Sequence, residues 1–510
     1  MLRERFAVWL QLAQETDWTP WLIVALGAFL RFFLLGIKPP HFDEGINGWF
    51  VDQMVKNGFY KYDPTNYHGP LHFYVLFLSQ TLLGRNIWAL RLPVVLVSTF
   101  CIYLATKFEP FVGRNLSRLA ALAMAISPGF VFYGRYSIHE VWLLLFSMLF
   151  MLGLLGLWKS GTDKYLWCAG MGIAGMILTK ETYIIHIGCA VLALPVLWIS
   201  NKLKPASDTK PALQTWTYVD LVVVIATGIA LIVFFYSGTF LHMSGVKGIW
   251  QAYAPWFATG NKGKSGHEKP FYYWLMLIAR YEPAILIGLV LCAFCQFFKS
   301  LSLRYIAIYG VGALIAYSTV NYKTPWCIIS IIWPFLFTFG AALFLIPLRY
   351  RLATYLIGGL ALGYSLGYTI WLNYFRCTTD TEPYVYVQTY NDIYKLSRPV
   401  LQLAKWNPTY YYMIGHMVRT SAYPFPWILG DFPNVGYYEH ENLPEKVDAD
   451  FLLVQQDRIK DVEPKLHESY FTEPLTIRPY QDTSKLYLNA KTFRALFPNR
   501  VPNFQGNAPR

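Results

Sequence analysis

Roughly eleven apolar stretches recur along this chain of 510 residues, at about 20–37, 86–106, 115–132, 140–158, 165–178, 182–199, 218–236, 272–296, 303–319, 326–346 and 353–373. Most approach the ~20 residues that a helix needs to cross a bilayer. Hydrocarbon offers no partner to a backbone amide, so such stretches must close their hydrogen bonds internally, as helices. With 55% of residues hydrophobic, 18% aromatic and only 14% charged, a water-soluble globule is excluded. The expected fold is an α-helical polytopic membrane protein of about eleven transmembrane helices.

The loops between these stretches differ in charge. Numbered in order, the even loops carry Lys107, Arg114 and Arg118; Lys159 and Lys164; Lys202, Lys204 and Lys210; Lys299 and Arg304; and Arg349 and Arg351. By the positive-inside rule these are cytoplasmic, so the amino terminus is cytoplasmic and the protein is multi-pass in the cell (inner or plasma) membrane. The odd loops then lie outside and hold His41-Phe42-Asp43-Glu44, Gly134-Arg135-Tyr136-Ser137-Ile138-His139-Glu140, Thr179-Lys180-Glu181, Ser265-Gly266-His267-Glu268-Lys269-Pro270 and Tyr322-Lys323-Thr324-Pro325-Trp326. An odd number of spans also puts the long carboxyl-terminal segment outside. Met1 to Pro20, with Arg3 and Arg5, lacks a signal-peptide core and a small-residue cleavage site, so the first span is expected to be retained. The net charge of +13 suits anionic lipid and phosphate. Nucleic acid is not implied, because no basic run interleaves with aromatics. Six of the seven cysteines fall inside apolar stretches, and the Cys292/Cys295 pair reads as packing.

Residues 1–375 are expected to form the transmembrane domain, 376–497 a small extracytoplasmic α/β domain, and 498–510 a disordered tail. In the first outer loop, 44–57 and 71–83 read as interfacial helices. The Ser237–Phe271 loop, with Trp250, Tyr253, Trp256 and Phe257, reads as a mobile lid. Strand-like runs at Tyr384–Thr389, Phe451–Gln455 and Leu486–Asn489 accompany a helix-like run from Asp392 to Trp406.

The chemistry-bearing residues fall in the odd loops. A carboxylate beside an apolar wall has a raised proton affinity, which suits Asp43 or Glu44 to take a proton from a hydroxyl; solvated helix caps are the bland alternative. One base suffices if the leaving group is a phosphate, which needs cations rather than an acid. Arg135, Lys180, Lys269 and Lys323 supply these from four odd loops, although any one of them alone reads as snorkelling. Arg31, within the first span, reads first as snorkelling too. His68 and His267 each precede an aromatic-rich apolar run and can share a divalent metal with a carboxylate; hydrogen-bonded histidines are the plainer reading. His139-Glu140 is open between helix-start polarity and substrate contact.

In order, these residues resemble the GT-C superfamily of polytopic glycosyltransferases, which includes protein O-mannosyltransferases and the aminoarabinose transferase of lipid A. Phe42-Asp43-Glu44 is similar to that group's first-loop acidic motif, in which the Asp is the base. Closer still is the "flippase activity-associated" branch named from archaeal protein glycosylation. That resemblance rests on His41-Phe42-Asp43-Glu44-Gly45, Tyr67-His68-Gly69-Pro70-Leu71-His72, Tyr322-Lys323-Thr324-Pro325-Trp326, Pro383-Tyr384-Val385-Tyr386 and Tyr423-Pro424-Phe425-Pro426-Trp427. It implies a GT-C-like fold with a polyprenyl-phosphate-linked sugar as donor. The acceptor would be a hydroxyl on a lipid, glycan or protein, and the anomeric carbon would be inverted. Asp43 and Glu44 would be catalytic, and Arg135, Tyr136, His139, Glu140, Lys180, Glu181, Lys269, Tyr322 and Lys323 would bind substrate. In the aminoarabinose transferase a Glu before Lys-Pro and a later His hold a metal. The matching positions are His68 and His267, where His replaces Glu and Gly69 replaces Lys, so no cofactor is required and a divalent metal is left open. The rival expectation is a flippase or transporter component for lipid-linked saccharides.

Overall fold

The computed structural model describes residues 17–208, 211, 213–261, 266–344, 347–439 and 442–507. The lead with Arg3 and Arg5, together with Lys210, Ser265 and residues 508–510, lies outside them. The chain divides into two compact units. One comprises the residues up to Leu35, Phe59–Gly84 and Arg91–Phe375; the other comprises Gly36–Gly58, Arg85–Leu90 and Arg376 onward. The second joins the region from Arg376 onward to part of the first loop.

In the first unit each of the apolar stretches folds as helix, but not each as an unbroken span. Among the described residues six helices are long and apolar enough to cross a membrane: Ile87–Val112, Glu140–Lys159, Tyr183–Leu203, Tyr218–Tyr236, Leu301–Thr319 and Arg351–Phe375. A seventh candidate is the pair Pro325–Ile332 and Pro334–Phe344, bent by 52° at a break just before Pro334, where the ring removes an amide. The remaining stretches form shorter pieces, among them Thr19–Phe32, Arg114–Ile126, Asp163–Ile177 and Pro283–Cys292. The two first-loop segments are helices Phe42–Asn57 and Leu71–Leu83. The segment expected to be a lid carries helices Ser244–Gln251 and Tyr253–Asn261, with Trp250 and Phe257 exposed.

One break shows how a buried charge is used. The Arg114–Ile126 helix stops at Ser127-Pro128, so the carbonyl of Met124 faces a residue with no N–H. That of Ala125 loses its partner because the Gly129 N–H donates to Glu282 Oε1 at 2.7 Å. Arg31 donates to both carbonyls at 3.1 Å and to Ser98 Oγ at 2.7 Å. It is fully buried and does not snorkel, because the open carbonyls of a neighbouring helix end attract it inward.

The second unit holds a five-stranded sheet of order β2-β1-β3-β5-β4: β1 Gly415–Val418, β2 Val435–Tyr437, β3 Phe451–Gln455, β4 Tyr470–Leu475 and β5 Ser484–Asn489. β1 runs parallel to β2 and β3, while β5 is antiparallel to β3 and β4. Successive side chains point to opposite faces. Phe451 and Leu453 therefore pack with Leu396, Val400 and Leu403 of helix Tyr394–Trp406, and Leu452 and Val454 pack with Val462 and Leu466. Both faces are buried, so β3 reads as an unbroken apolar run.

Two expectations are corrected here. Tyr384–Thr389 is no strand: Val387 has φ 55°, and Gln388 Nε2 donates to the Pro39 carbonyl at 3.1 Å. Nor are residues 498–507 a loose tail, since Phe504 pairs with Tyr470 beside β4 and Asn507 Nδ2 donates to the Glu463 carbonyl at 2.8 Å.

Candidate functional site

In the second unit the acidic doublet opens helix Phe42–Asn57, and its two carboxylates are used differently. His41 caps the helix by accepting the Asp43 N–H at Nδ1 (3.0 Å), while Glu44 reaches back to accept the His41 N–H (2.9 Å). This reciprocal capping box fully buries Glu44. With Nδ1 accepting, Nε2 carries the proton and donates to the Tyr386 carbonyl at 3.0 Å. Burial pushes the His41 imidazole down to about 3, so it is neutral near pH 7. The Asp43 side chain stays 31% exposed. Arg478 lies over the Phe42 ring at 3.6 Å; burial lowers its proton affinity and the charge of Asp43 partly restores it. Nothing in the sequence marks Arg478, which lies far along the chain from the doublet.

Three of the five segments behind the family resemblance meet here. The Phe42 and Tyr423 rings stand edge to face at 5.8 Å, and Tyr386 receives His41. A Cβ on Gly48 would come within 2.2 Å of Trp427 Cδ1, so only glycine lets this helix lie against the indole. Arg85 clasps the arrangement by donating to Asp52 at 2.6 Å and to Asp431 at 3.1 Å.

In the first unit, residues 67–71 run against 178–179: the Gly69 N–H donates to the Thr179 carbonyl and the Leu71 N–H to that of Leu178, both at 3.0 Å. A Cβ on Gly69 would lie 2.3 Å from the Leu178 carbonyl, which explains a glycine at that position. The pairing sets His68 Nδ1 3.0 Å from Glu181 Oε2. Beside it Lys180, 6% exposed, is hydrogen-bonded to Glu140, with Cys327 Sγ 3.9 Å from its Nζ. Burial alone would lower the proton affinity of Lys180, but Cys327, Glu140 and Glu181 outweigh it and hold the ammonium charged. Burial alone would raise that of Glu181, but His68 and Lys180 hold it below the usual glutamate range. The His139 ring sits 4.7 Å from that of His68 and 4.6 Å from that of His72, and its buried Nε2 has no hydrogen-bond partner among the described residues. His72 accepts the Trp142 indole N–H at 3.0 Å. The sequence does not mark His72, Trp142 or Cys327 as site residues, although His72 lies in one of the family-like motifs and Cys327 follows another.

The other expected binding residues are placed differently. Arg135 donates to the carbonyls of Leu30 and Leu34, at 3.0 and 2.7 Å, and lies over the Tyr374 ring. Buried Tyr136 has its ring 6.4 Å from that of Trp326. Residues 267–269 and 321–323 form a short antiparallel pairing through Glu268 and Tyr322, in which the Lys323 ammonium is bonded to the carbonyls of Lys269 and Val320. His267 packs on the Tyr322 ring at 4.8 Å. His68 and His267 thus have different partners, and among the described residues no group of three His, Cys, Asp or Glu side chains is arranged to hold a metal ion. The donor set does not fit a shared metal.

Residues 67–234 match the model of a family described as dolichyl-phosphate-mannose-protein mannosyltransferase. No curated protein sequence matches the chain significantly. Among solved structures, the apo form of ArnT from Cupriavidus metallidurans superposes with a TM-score of 0.64 at 14% identity, covering 92% of this chain and 98% of that one. ArnT from the same organism bound to undecaprenyl phosphate gives 0.62 at 14% identity, covering 96% and 99%. The chain therefore has the fold of ArnT, a membrane-embedded helical body with a small sheet-containing region.

Proposed function

We propose that this protein is a membrane glycosyltransferase that moves a sugar from a polyprenyl-phosphate donor to an acceptor hydroxyl on the extracytoplasmic face, with inversion. The observation that carries the reading is the buried Lys180–Glu140 pair beside Glu181–His68, at loop ends of otherwise apolar helices. Ionisable groups at such a place are costly and mark function. A donor with an apolar tail and a charged phosphate has its own polar junction there. The family match and the ArnT structure with undecaprenyl phosphate support the donor class.

In the reaction the C1–O bond to phosphate breaks with its electron pair going to the phosphate oxygen, and the acceptor oxygen bonds to C1. Lys180 exchanges Glu140 for the departing phosphate. His139, as the neutral tautomer with its hydrogen on Nε2, offers a second donor. Asp43, assigned as base by the first-loop resemblance, takes the acceptor proton; Glu44 holds the helix that presents it. Tyr136, Lys269, Tyr322 and Lys323 shape the loops that carry these groups, and Arg135 fastens the end of the first helix. The flippase rival would work through broken helices such as the bend at Pro334, but the charged groups gather at loop ends and not at that break.

The test is to incubate the purified protein in lipid nanodiscs with a panel of polyprenyl-phosphate sugars, with and without chelator, and to measure polyprenyl phosphate release. Lys180→Met alone would leave Glu140 buried and unpaired, at a cost of about 3–5 kcal/mol. The doubly neutral Lys180→Met/Glu140→Leu variant is therefore the one to compare. Release from at least one donor is expected, falling at least tenfold in that variant, about 1.4 kcal/mol of transition-state stabilisation. Wild-type release from the folded double variant, or no release from any donor, overturns the reading. Donor crossing the bilayer intact would support the flippase.

A further inference from the structure

The second unit contains a cleft of about 890 Å³ lined by none of the residues given roles in the proposed reaction. One wall is a single face of helix Phe42–Asn57: Trp49, Asp52, Gln53 and Lys56 stand three and four residues apart and therefore project together. Gly48, one turn before Asp52 at the border of that face, is packed against Trp427. The helix is thus anchored at Gly48 immediately beside the face that lines the cleft. The facing wall brings Tyr412, Tyr423 and Tyr437. Tyr412 is 69% exposed and Tyr437 38% exposed, although each is a large apolar ring.

We propose that this cleft binds a neutral glycan and is the acceptor subsite of the transferase, an assignment that rests on the reading above. Aromatic rings offer flat apolar surface for the C–H faces of sugar rings, and they lose little conformational freedom on binding. Asp52, Gln53, Asp431 and Glu439 add acceptors and one amide for hydroxyls. Such a mixture, aromatic walls with a few polar groups, typifies clefts for small ligands, and its volume is in the upper part of their usual range of about 300–1,000 Å³.

Charge selects against other occupants. Three carboxylates line the cleft, Asp52, Asp431 and Glu439, against the Lys56 ammonium and the Arg85 guanidinium that Asp52 and Asp431 share, which leaves a negative balance. A phosphorylated or uronate ligand would meet like charge. A peptide could only add to β2, which is the sheet edge at this wall, but that strand has three residues and Pro433 shortly precedes it. It offers too few backbone partners for strand addition.

The experiment uses the full chain in nanodiscs and titrates it with a neutral hexose tetrasaccharide, a hexuronate tetrasaccharide, a hexose phosphate and a short basic peptide, reading heat of binding. The neutral tetrasaccharide is expected to bind, and Tyr412→Ala and Tyr437→Ala to weaken it at least about tenfold each. The exposure of Tyr412 makes its truncation compatible with folding, and an unchanged unfolding midpoint confirms this. Absence of neutral-glycan binding, or undiminished binding in both folded variants, overturns the proposal. Preference for the peptide or an acidic ligand overturns it in favour of that class. Polyprenyl phosphate release by the same preparation separates the two readings. Release without glycan binding sinks the cleft alone, and glycan binding without release sinks the donor chemistry.

Discussion

Asp43 and Glu44 are neighbours in sequence, yet the fold asks opposite things of them. Glu44 spends its carboxylate on the His41 N–H inside a closed capping box, whereas Asp43 keeps its carboxylate at the surface near Arg478. A positioned base contributes about 10²–10⁴ in rate, and loss of a cap about 0.5–2 kcal/mol of stability. Asp43→Asn is therefore expected to lower sugar transfer by two to four orders of magnitude with little change in unfolding midpoint. Glu44→Ala is expected to lower the midpoint. Single-turnover transfer and thermal unfolding of the two variants, measured side by side, check this; reversed assignments would exchange the roles. The sequence marks the doublet but does not divide it, because the division depends on His41 acting as the cap with its Nε2 held by the Tyr386 carbonyl, which only folding brings to the helix end.

Helix Phe42–Asn57 is the element on which the second unit turns. Its amino end depends on a neutral imidazole, since Nδ1 must accept the Asp43 N–H. His41 titrates at about 3 in the folded protein, against about 6.5 for an exposed histidine, with Glu44 on one side and Lys38 and Arg478 on the other. Between those values the unfolded chain binds a proton that the folded chain refuses, so stability rises with pH across that window and falls as the pH is lowered. At pH 5 the loss is about 2 kcal/mol. His41→Asn keeps a side-chain acceptor at the cap and has nothing to titrate. Amide hydrogen exchange along this helix, corrected for intrinsic rates, should speed up below pH 6 in the wild type and stay flat in His41→Asn. Equal pH dependence in both would remove His41 from the account. The helix itself was legible from its polar and apolar spacing. The fractured spans were less so, because the Arg114–Ile126 helix ends where a distant Glu282 captures an amide, and hydropathy carries no trace of that.

At the scale of the whole molecule, the apolar stretches announce themselves because each is a local property of consecutive residues. The make-up of the second unit does not, because it joins residues 36–58 and 85–90 to a region that starts at 376. Strands β1 and β2 carry little signal for a similar reason: each is short and bounded by turns, and β1 is fixed between two strands, β2 and β3, that both follow it in sequence. The discontinuity has a consequence for folding. Residues 376–507 alone would keep the two cores on either side of the sheet, which are made entirely from that stretch. They would lack the helix that covers Trp427 and the Arg85 that holds Asp431. Produced alone, this region should therefore show protected amides in β3 and β5 and rapid exchange with early proteolytic cleavage across 420–437. A synthetic peptide of residues 36–58, added in trans, should slow that cleavage, and the same peptide with Gly48→Leu should not, because its side chain would occupy the place of the indole. Full protection of 420–437 without any added peptide would show that the first-loop segment is dispensable to this unit.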